Sequence, residues 1–542
     1  MQRRARTSLG LGGRTKHAPA DSAHGAHSRK RATLNSDGTL YEMVNLDLDG
    51  QSPAALSSIH MLAAQAFSRA AGAPLVSGNS IRLLKDAEEN YPAWFEAIES
   101  AKNVVCFENY IIHDDDIGYQ FASALIAKAQ EGVRVRLLYD WFGALMNTSR
   151  SFWRRLTDGG VEVRCFNPPR FDSPLGWLSR DHRKSLCVDN RIAFVSGLCI
   201  GQMWVGYPER GIAPWRDTGV EVRGPAVADV AQAFARAWAE AGPALPASEL
   251  PNHESISKVG DVALRVVASM PAVAGLYRHD QLIAALARKT LWLTDAYFVG
   301  ATSYVQALRG AAMDGVDVRL LVPGASDIKV LAPITRGGYR TLLEAGVRVF
   351  EWNGPMLHAK TAVADGRWGR VGSSNLNMAS WLGNWEMDIA VEDEAFADEM
   401  EDMYLHDLTY ATEIVLNERN RVRPIMPRER RPSRRRMGGS TGRFAASAIR
   451  VGNTVGAAIT NRRALGAAEA RIMLFGSLVL LTIAAAAALW PLLIVVPVAS
   501  LATWLAIALL IKAYHLHRAA RAQGVSDSLA SEIEISKATR DP

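Results

Sequence analysis

The chain has 542 residues, too many for one compact hydrophobic core, so two or more domains are expected. Hydrophobic residues make up 49% and charged residues 21%, which excludes a mainly disordered, collagenous or coiled-coil chain. Sixty-one Lys and Arg against 55 Asp and Glu give a formal charge of +6, which points to an anionic partner, nucleic acid or an acidic membrane surface, without choosing between them.

Residues 1–50 are rich in Arg, Ser, Gly and His and hold no apolar run long enough for a signal peptide, so a disordered basic arm is expected. Arg3-Arg4 lacks the apolar core of a twin-arginine signal, and His17, His24 and His27 read as solvated rather than metal-binding. Four cysteines, Cys106, Cys165, Cys187 and Cys199, are too scattered for a C-x-x-C site and too few for a disulfide scaffold, so reduced thiols are expected.

From Gln51 to about Val415 β-type and helix-type segments alternate, the pattern of an α/β architecture, and the pattern occurs twice. Val104-Val105-Cys106-Phe107, then Ile117, Phe121 and Leu125 at helical spacing, then Gly132 to Leu138 are answered by Leu291-Trp292-Leu293, by Tyr304, Leu308 and Ala312, and by Gly315 to Leu321. A further pair of strands opens at Gly160 and Gly346. Each of these four glycines fits the position just past a helix end, where a left-handed backbone is easy only without a side chain. The expected domains are 51–242 and 261–416, joined by 243–260 with Pro243, Pro246 and Pro251. Asp114-Asp115-Asp116 reads as a strand-to-helix turn with an N-capping Asp rather than a metal site.

Residues 417–471 form an expected basic linker, with Arg428, Arg430, Arg431, Arg434, Arg435 and Arg436 packed around Pro427 and Pro432. Residues 472–511 carry no charge, a run about twice the ~20 residues one helix needs to cross a bilayer, so a transmembrane hairpin is expected, followed by a tail, 512–542. Arg462, Arg463 and Arg471 on one side and Lys512, Arg518 and Arg521 on the other place both ends in the cytoplasm by the positive-inside rule. The arginine cluster beside it suits contact with an anionic membrane surface.

The chemistry lies in a spacing of His, Lys and Asp that each repeat carries: His182, Lys184 and Asp189, and His358, Lys360 and Asp365. On an extended chain His and Lys fall on one face, so two such strands can converge imidazoles and ammonium groups on one phosphate. That is what phosphodiester exchange needs: one neutral His attacks phosphorus, the other protonates the leaving alcohol, and the lysines hold the non-bridging oxygens. No metal or other cofactor is required for this chemistry, and the chain has neither an H-E-x-x-H motif nor a P-loop. Asp189 and Asp365 complete the two sets, although pairing with basic neighbours is a structural alternative for both.

Over roughly Gly78 to Val415 the sequence resembles the phospholipase D superfamily, and within it the bacterial cardiolipin synthases. Gly372-Ser373-Ser374-Asn375 looks like the family's G-S-x-N extension, which implies that Ser373 and Asn375 bind phosphate. Trp215-Arg216-Asp217 and Asn384-Trp385-Glu386 look like the segments whose acids orient the histidines, which implies that Asp217 orients His182 and Glu386 orients His358. The resemblance implies two α/β domains meeting across a pseudo-two-fold with the site between them. It also implies a phosphatidyltransferase of the bacterial inner membrane, acting on phospholipids such as phosphatidylglycerol through a phosphohistidine. Hydrolysis to phosphatidic acid is the alternative; a nuclease is less favoured, because the basic residues cluster beside the apolar run rather than with base-stacking aromatics. One departure stands out: Cys199 occupies the place of the expected Asn in the first half, and a thiol is a poor donor. Family analogy leans to His182 as nucleophile and pocket completeness to His358; the oligomeric state is left open.

Overall fold

The computed structural model describes residues 64–416 apart from 171–177, 272, 326 and 328–330, together with 30–34, 40–44, 422–424 and scattered positions between 477 and 514. The chain divides into two units, Met1–Ala66 and Phe67–Pro542. In the first, Lys30–Leu34 (β1) pairs antiparallel with Leu40–Val44 (β2), Lys30 opposite Val44. This corrects the expectation of disorder for 30–34 and 40–44: Leu40-Tyr41-Glu42-Met43-Val44 suits a strand.

The second unit is a mixed α/β structure built twice. In its first half Val76–Lys85 (β3), Val104–Asn109 (β4), Arg134–Asp140 (β5) and Glu162–Phe166 (β6) are followed by the two-residue Arg180–Asp181 (β7), Lys184–Val188 (β8), Ile192–Ser196 (β9) and Thr218–Arg223 (β10). Hydrogen bonding orders them β6-β5-β4-β8-β9-β10-β3, parallel among β4, β5 and β6 and antiparallel beyond. The second half repeats this with Val262–Ser269 (β11), Thr290–Asp295 (β12), Asp317–Pro323 (β13), Arg348–Trp352 (β14), Lys360–Ala364 (β15), Trp368–Gly372 (β16) and Asn384–Glu392 (β17), in the order β14-β13-β12-β15-β16-β17-β11. Ala411–Leu416 (β18) adds to β14 and carries Val422–Pro424 (β19) in turn. The two sheets join where β3 pairs with β11, Val262 opposite Asn79.

The local signals hold. Gly132, Gly160, Gly315 and Gly346 have φ of 90°, 92°, 95° and 92°, each just past the end of a helix. Asp115 caps helix Asp116–Gln130, accepting the Gly118 N–H at 3.0 Å. All four cysteines are free, and burial pushes the Cys106 thiol up to about 12.

Three apolar clusters set the halves around the site. Helices Val227–Glu240 and Glu394–Thr409 send Phe234, Trp238, Met400 and Tyr404 into a layer shared with strand residues of both halves, including Val195, Val220, Val363 and Ile389. The outer faces are covered separately, by Trp94, Phe107 and Phe121 in the first half and by Leu293, Tyr304 and Trp381 in the second. Each large side chain buried this way contributes about 1.5–3 kcal/mol, so the shared layer fixes the relation of the two halves.

Of the expected hairpin, 472–511, only scattered positions are described, all of them helical, and most of the basic linker falls outside the described residues. Among the described residues no helix is long and apolar enough to cross a membrane.

Candidate active site

β8 and β15 lie at equivalent places in the two sheets, and each begins two residues after its histidine. What precedes them is pairing between the halves. β7 runs parallel to the start of β17, with Asp181 opposite Trp385, and Arg216 bridges in parallel to Leu357. In consequence the His182 N–H donates to the Trp385 carbonyl at 2.9 Å and the His358 N–H to the Arg216 carbonyl at 2.7 Å. Each histidine backbone is thus tied to the residue before the other half's carboxylate.

The side chains follow the same crossing. His182 Nδ1 lies 3.0 Å from Glu386 Oε2, and His358 Nδ1 lies 2.7 Å from Asp217 Oδ2. The pairing expected within each half, Asp217 with His182 and Glu386 with His358, is therefore corrected. The physical reason is the parallel hook of each histidine segment onto the opposite sheet, which spacing within one half cannot report. A carboxylate at Nδ1 holds the proton there and leaves Nε2 to face a substrate. Lys184 Nζ donates to the His182 carbonyl and Lys360 Nζ to the His358 carbonyl, and one tyrosine ring meets both groups in each half, Tyr110 against His182 and Lys184, Tyr297 against His358 and Lys360, so His and Lys share a face.

The two carboxylates are held differently. Glu386 accepts from Ser373 Oγ at 2.6 Å, Ser380 Oγ at 2.5 Å and Asn384 Nδ2 at 3.1 Å. Asp217 accepts from Trp204 Nε1 at 3.1 Å and the Thr218 N–H at 2.9 Å. Where the second half has Ser373, the first has Gly197, and a Cβ there would come within 2.1 Å of Asp217 Oδ1. The phosphate-binding role expected for Ser373 is corrected accordingly: its hydroxyl is committed to Glu386, and its N–H to the Met387 carbonyl at 3.0 Å. Asn375 is buried, and its Oδ1, an acceptor, has no hydrogen-bond partner among the described residues. Cys199, in the corresponding place, is buried, and burial raises its thiol pKa against the pull of Lys184.

Asp189 and Asp365 stand at the far ends of β8 and β15, roughly 16 Å from the lysines at about 3.3 Å per residue. Asp189, at φ 52°, accepts the N–H groups of Lys102, Asn103 and Val104 at 2.8, 2.7 and 2.8 Å. Asp365, at φ 54°, does the same for Arg288, Lys289 and Thr290 at 2.8, 2.7 and 2.9 Å. Their inclusion among the catalytic groups is corrected, because both carboxylates are filled by the backbone that starts β4 and β12. Replacing either by Ala leaves three amides without their acceptor and removes a residue tolerant of a left-handed backbone. The expected loss is about 2–4 kcal/mol of stability, read as a lower denaturant midpoint.

Burial pulls both imidazoles below their ordinary pKa. His358 falls to about 3, with Lys360 adding to burial and Asp217 opposing it. His182 is lowered by burial against the opposing pull of Glu386. Burial alone would raise Asp217, but His358 and Lys360 outweigh it and hold the carboxyl at about 2. Glu386 is lowered in the same way, chiefly by His182. Near neutral pH the site thus holds two neutral imidazoles on two ionised carboxylates. Because folded His358 binds its proton less readily than an unfolded histidine of pKa 6.5, the unfolded chain binds more protons between about pH 6.5 and 3. Stability therefore falls as pH falls through that window. His358→Gln is expected to flatten the slope by at most about 1.4 kcal/mol per pH unit in denaturant titrations at stepped pH.

Sequence reasoning missed several positioning groups. The Tyr110 ring stands edge-on to His182 at 4.8 Å and the Tyr297 ring to His358 at 5.9 Å. Arg183, buried between His182 and Lys184, donates to the carbonyls of Glu386, Ala233 and Ser269 and fastens the halves together. Arg216 does likewise through Asp407 at 2.9 Å and Asp86 at 3.1 Å. Tyr110 and Tyr297 do not occupy equivalent repeat positions, and Trp204 and Ser380, although each follows its motif Asp by 15 residues, are unlike residue types, so no repeated residue marks any of them.

A duplicated α/β sheet pair with a His, a Lys and a carboxylate from each half at one interface defines a phospholipase D-like protein. Residues 95–238 and 282–408 match the family model described as "Cardiolipin synthase, PLD-like domain", and the chain belongs to that family. Cardiolipin synthase A of Pseudomonas fluorescens (strain SBW25) is 35% identical over 362 residues, covering 65% of this chain and 73% of that one. Cardiolipin synthase A of Pseudomonas entomophila (strain L48) is 34% identical over 351 residues, covering 63% and 71%. Among solved structures, phosphatidylserine synthase of Haemophilus influenzae Rd KW20 shares the fold, with a TM-score of 0.52 and 16% identity, covering 64% of this chain and 91% of that one.

Proposed function

We propose that this chain is a phosphatidyltransferase that makes cardiolipin from phosphatidylglycerol and a second phospholipid through a phosphohistidine. The observation that carries the reading is the crossed pair, His182 on Glu386 and His358 on Asp217, with Lys184 and Lys360 beside them, in a relative of the cardiolipin synthases A. Nε2 of one neutral histidine attacks phosphorus, forming a P–N bond as the P–O bond to the headgroup alcohol breaks. The other histidine, protonated when the anionic substrate enters, gives its Nε2 proton to that alkoxide. In the return step it takes the proton of the incoming lipid hydroxyl, whose oxygen displaces the histidine. Lys184, Lys360 and the amide of Asn375 bind the non-bridging oxygens, and Asp217 and Glu386 stabilise whichever imidazole becomes charged.

The reading extends to the remaining chain. Residues 472–511 are proposed to anchor the enzyme in the cytoplasmic membrane as a hairpin, with the arginines of the linker on its anionic surface. Expression in a bacterium lacking cardiolipin, followed by lipid mass spectrometry, tests the function. A new four-chain lipid is expected. Phosphatidic acid as the main product would replace transfer by hydrolysis, and no change in lipids would overturn both. Removing the chain from Arg421 onward is expected to release the protein from membranes washed with high salt while detergent-dispersed lipid is still turned over; salt-resistant attachment of that form would contradict the anchor.

A further inference from the structure

Asn109 ends β4 directly opposite Lys184 on β8. The two preceding pairs on that face, Phe107 with Leu186 and Val105 with Val188, lie in one apolar cluster, so the Asn109 side chain shares the face of the Lys184 side chain. Asn109 is 1% exposed, and neither Nδ2 nor Oδ1 has a hydrogen-bond partner among the described residues. A buried amide with both ends unpaired is destabilising, and such a group in a native fold calls for an explanation.

The second half shows what this ladder position does when it is purely structural. Asp295 stands opposite Lys360, and its oxygens accept the Leu376 N–H at 2.8 Å and the Tyr297 N–H at 3.1 Å, which clamps the turn after β12 to the segment after β16. Burial raises the Asp295 carboxyl to about 7, and in its ionised form it attracts the buried Lys360 ammonium. In the first half the Ile200 N–H, at the place of Leu376, donates instead to the Ile111 carbonyl at 3.1 Å, and Asp115 accepts the Gln202 N–H at 2.8 Å, so the closure does not use Asn109. Asn109 is thus released from the task Asp295 performs and brings no negative charge to Lys184.

We propose that Asn109 determines headgroup specificity: its Nδ2 donates to a phosphate oxygen of the lipid, and its Oδ1 accepts from a second, non-reacting hydroxyl of a polyol headgroup. This deepens the phosphatidyltransferase reading and rests on it. A phosphate alone satisfies only the donor, so the ligand must present an acceptor and a donor together. An ammonium headgroup offers the donor but sits beside Lys184 with no carboxylate at this ladder position, and like charges repel there. A neutral glycerol-type headgroup meets both requirements.

The test uses the full-length chain in detergent micelles with labelled phosphatidylglycerol as donor and glycerol, ethanol or ethanolamine as competing soluble acceptors. Ethanol has the reacting hydroxyl but not the second one. Asn109→Leu is expected to weaken transfer to every acceptor through loss of the phosphate donor and, beyond that, to lower the glycerol-to-ethanol product ratio about 10- to 100-fold, with no loss of thermal stability because an orphaned amide has been replaced by an apolar group. Asn109→Asp is expected to raise the share of ethanolamine product about tenfold or more, since the carboxylate offsets Lys184. Unchanged ratios in both variants, as a buried water on the amide would give, overturn this inference while leaving the transferase reading in place. Absence of transfer to any alcohol by the unaltered chain overturns both.

Discussion

His182→Ala and His358→Ala each lower phosphatidyl transfer by about four orders of magnitude or more in the full chain, measured as labelled product in detergent micelles. The two imidazoles act in sequence on one phosphorus, so removing either leaves the other without its partner, and the double variant is expected to be scarcely worse than the single ones. The fold is expected to survive. Each histidine is tied by its backbone to the opposite sheet, at 2.9 Å for His182 and 2.7 Å for His358, and an alanine keeps those bonds. Substantial activity in either variant would remove the paired-site mechanism.

The carboxylates carry the second large effect. Asp217→Asn and Glu386→Gln keep the shape but offer an amide to Nδ1, so the proton is no longer held there and a charged imidazole is no longer stabilised. Losses of about 10²- to 10⁴-fold in turnover are expected, greater than the change in KM. The crossed wiring makes the effects specific. Glu386→Gln should shift the imidazole nitrogen resonances of His182, and Asp217→Asn those of His358, in nitrogen-15 spectra. The opposite assignment would restore the pairing expected from sequence. Glu386, with three side-chain donors, should also resist displacement better than Asp217, whose donors are Trp204 and a backbone amide.

What could be read from sequence follows from what repetition and period encode. The duplicated α/β order, the four left-handed glycines and the cap at Asp115 are local properties, and each stands in the fold as expected. The His-Lys alternation on one face is a property of an extended chain, so Lys184 and Lys360 lie where the spacing puts them. Which carboxylate meets which histidine is a matter of how two sheets dock, and nothing within one repeat carries it. The same holds for Ser373, whose motif suggests phosphate but whose hydroxyl is used by Glu386 from thirteen residues further on. Asp189 and Asp365 share their motif spacing with His and Lys, yet strand geometry carries them to the other end of the sheet, where amides of the preceding turn fill them. The hairpin β1–β2 was obscured by the polar composition around it.

The central claim is that a phosphatidyl group is held on a histidine of the crossed pair. Incubating the full chain with labelled phosphatidylglycerol, quenching in denaturant at a pH where phosphoramidates persist, and mapping the label by peptide mass spectrometry tests it directly. The account predicts label on one histidine only, His182 or His358, lost when that residue is replaced and retained at low turnover when the other one is. Label on a serine, cysteine or carboxylate, or product formed in a burst with no labelled peptide at either histidine, would contradict it.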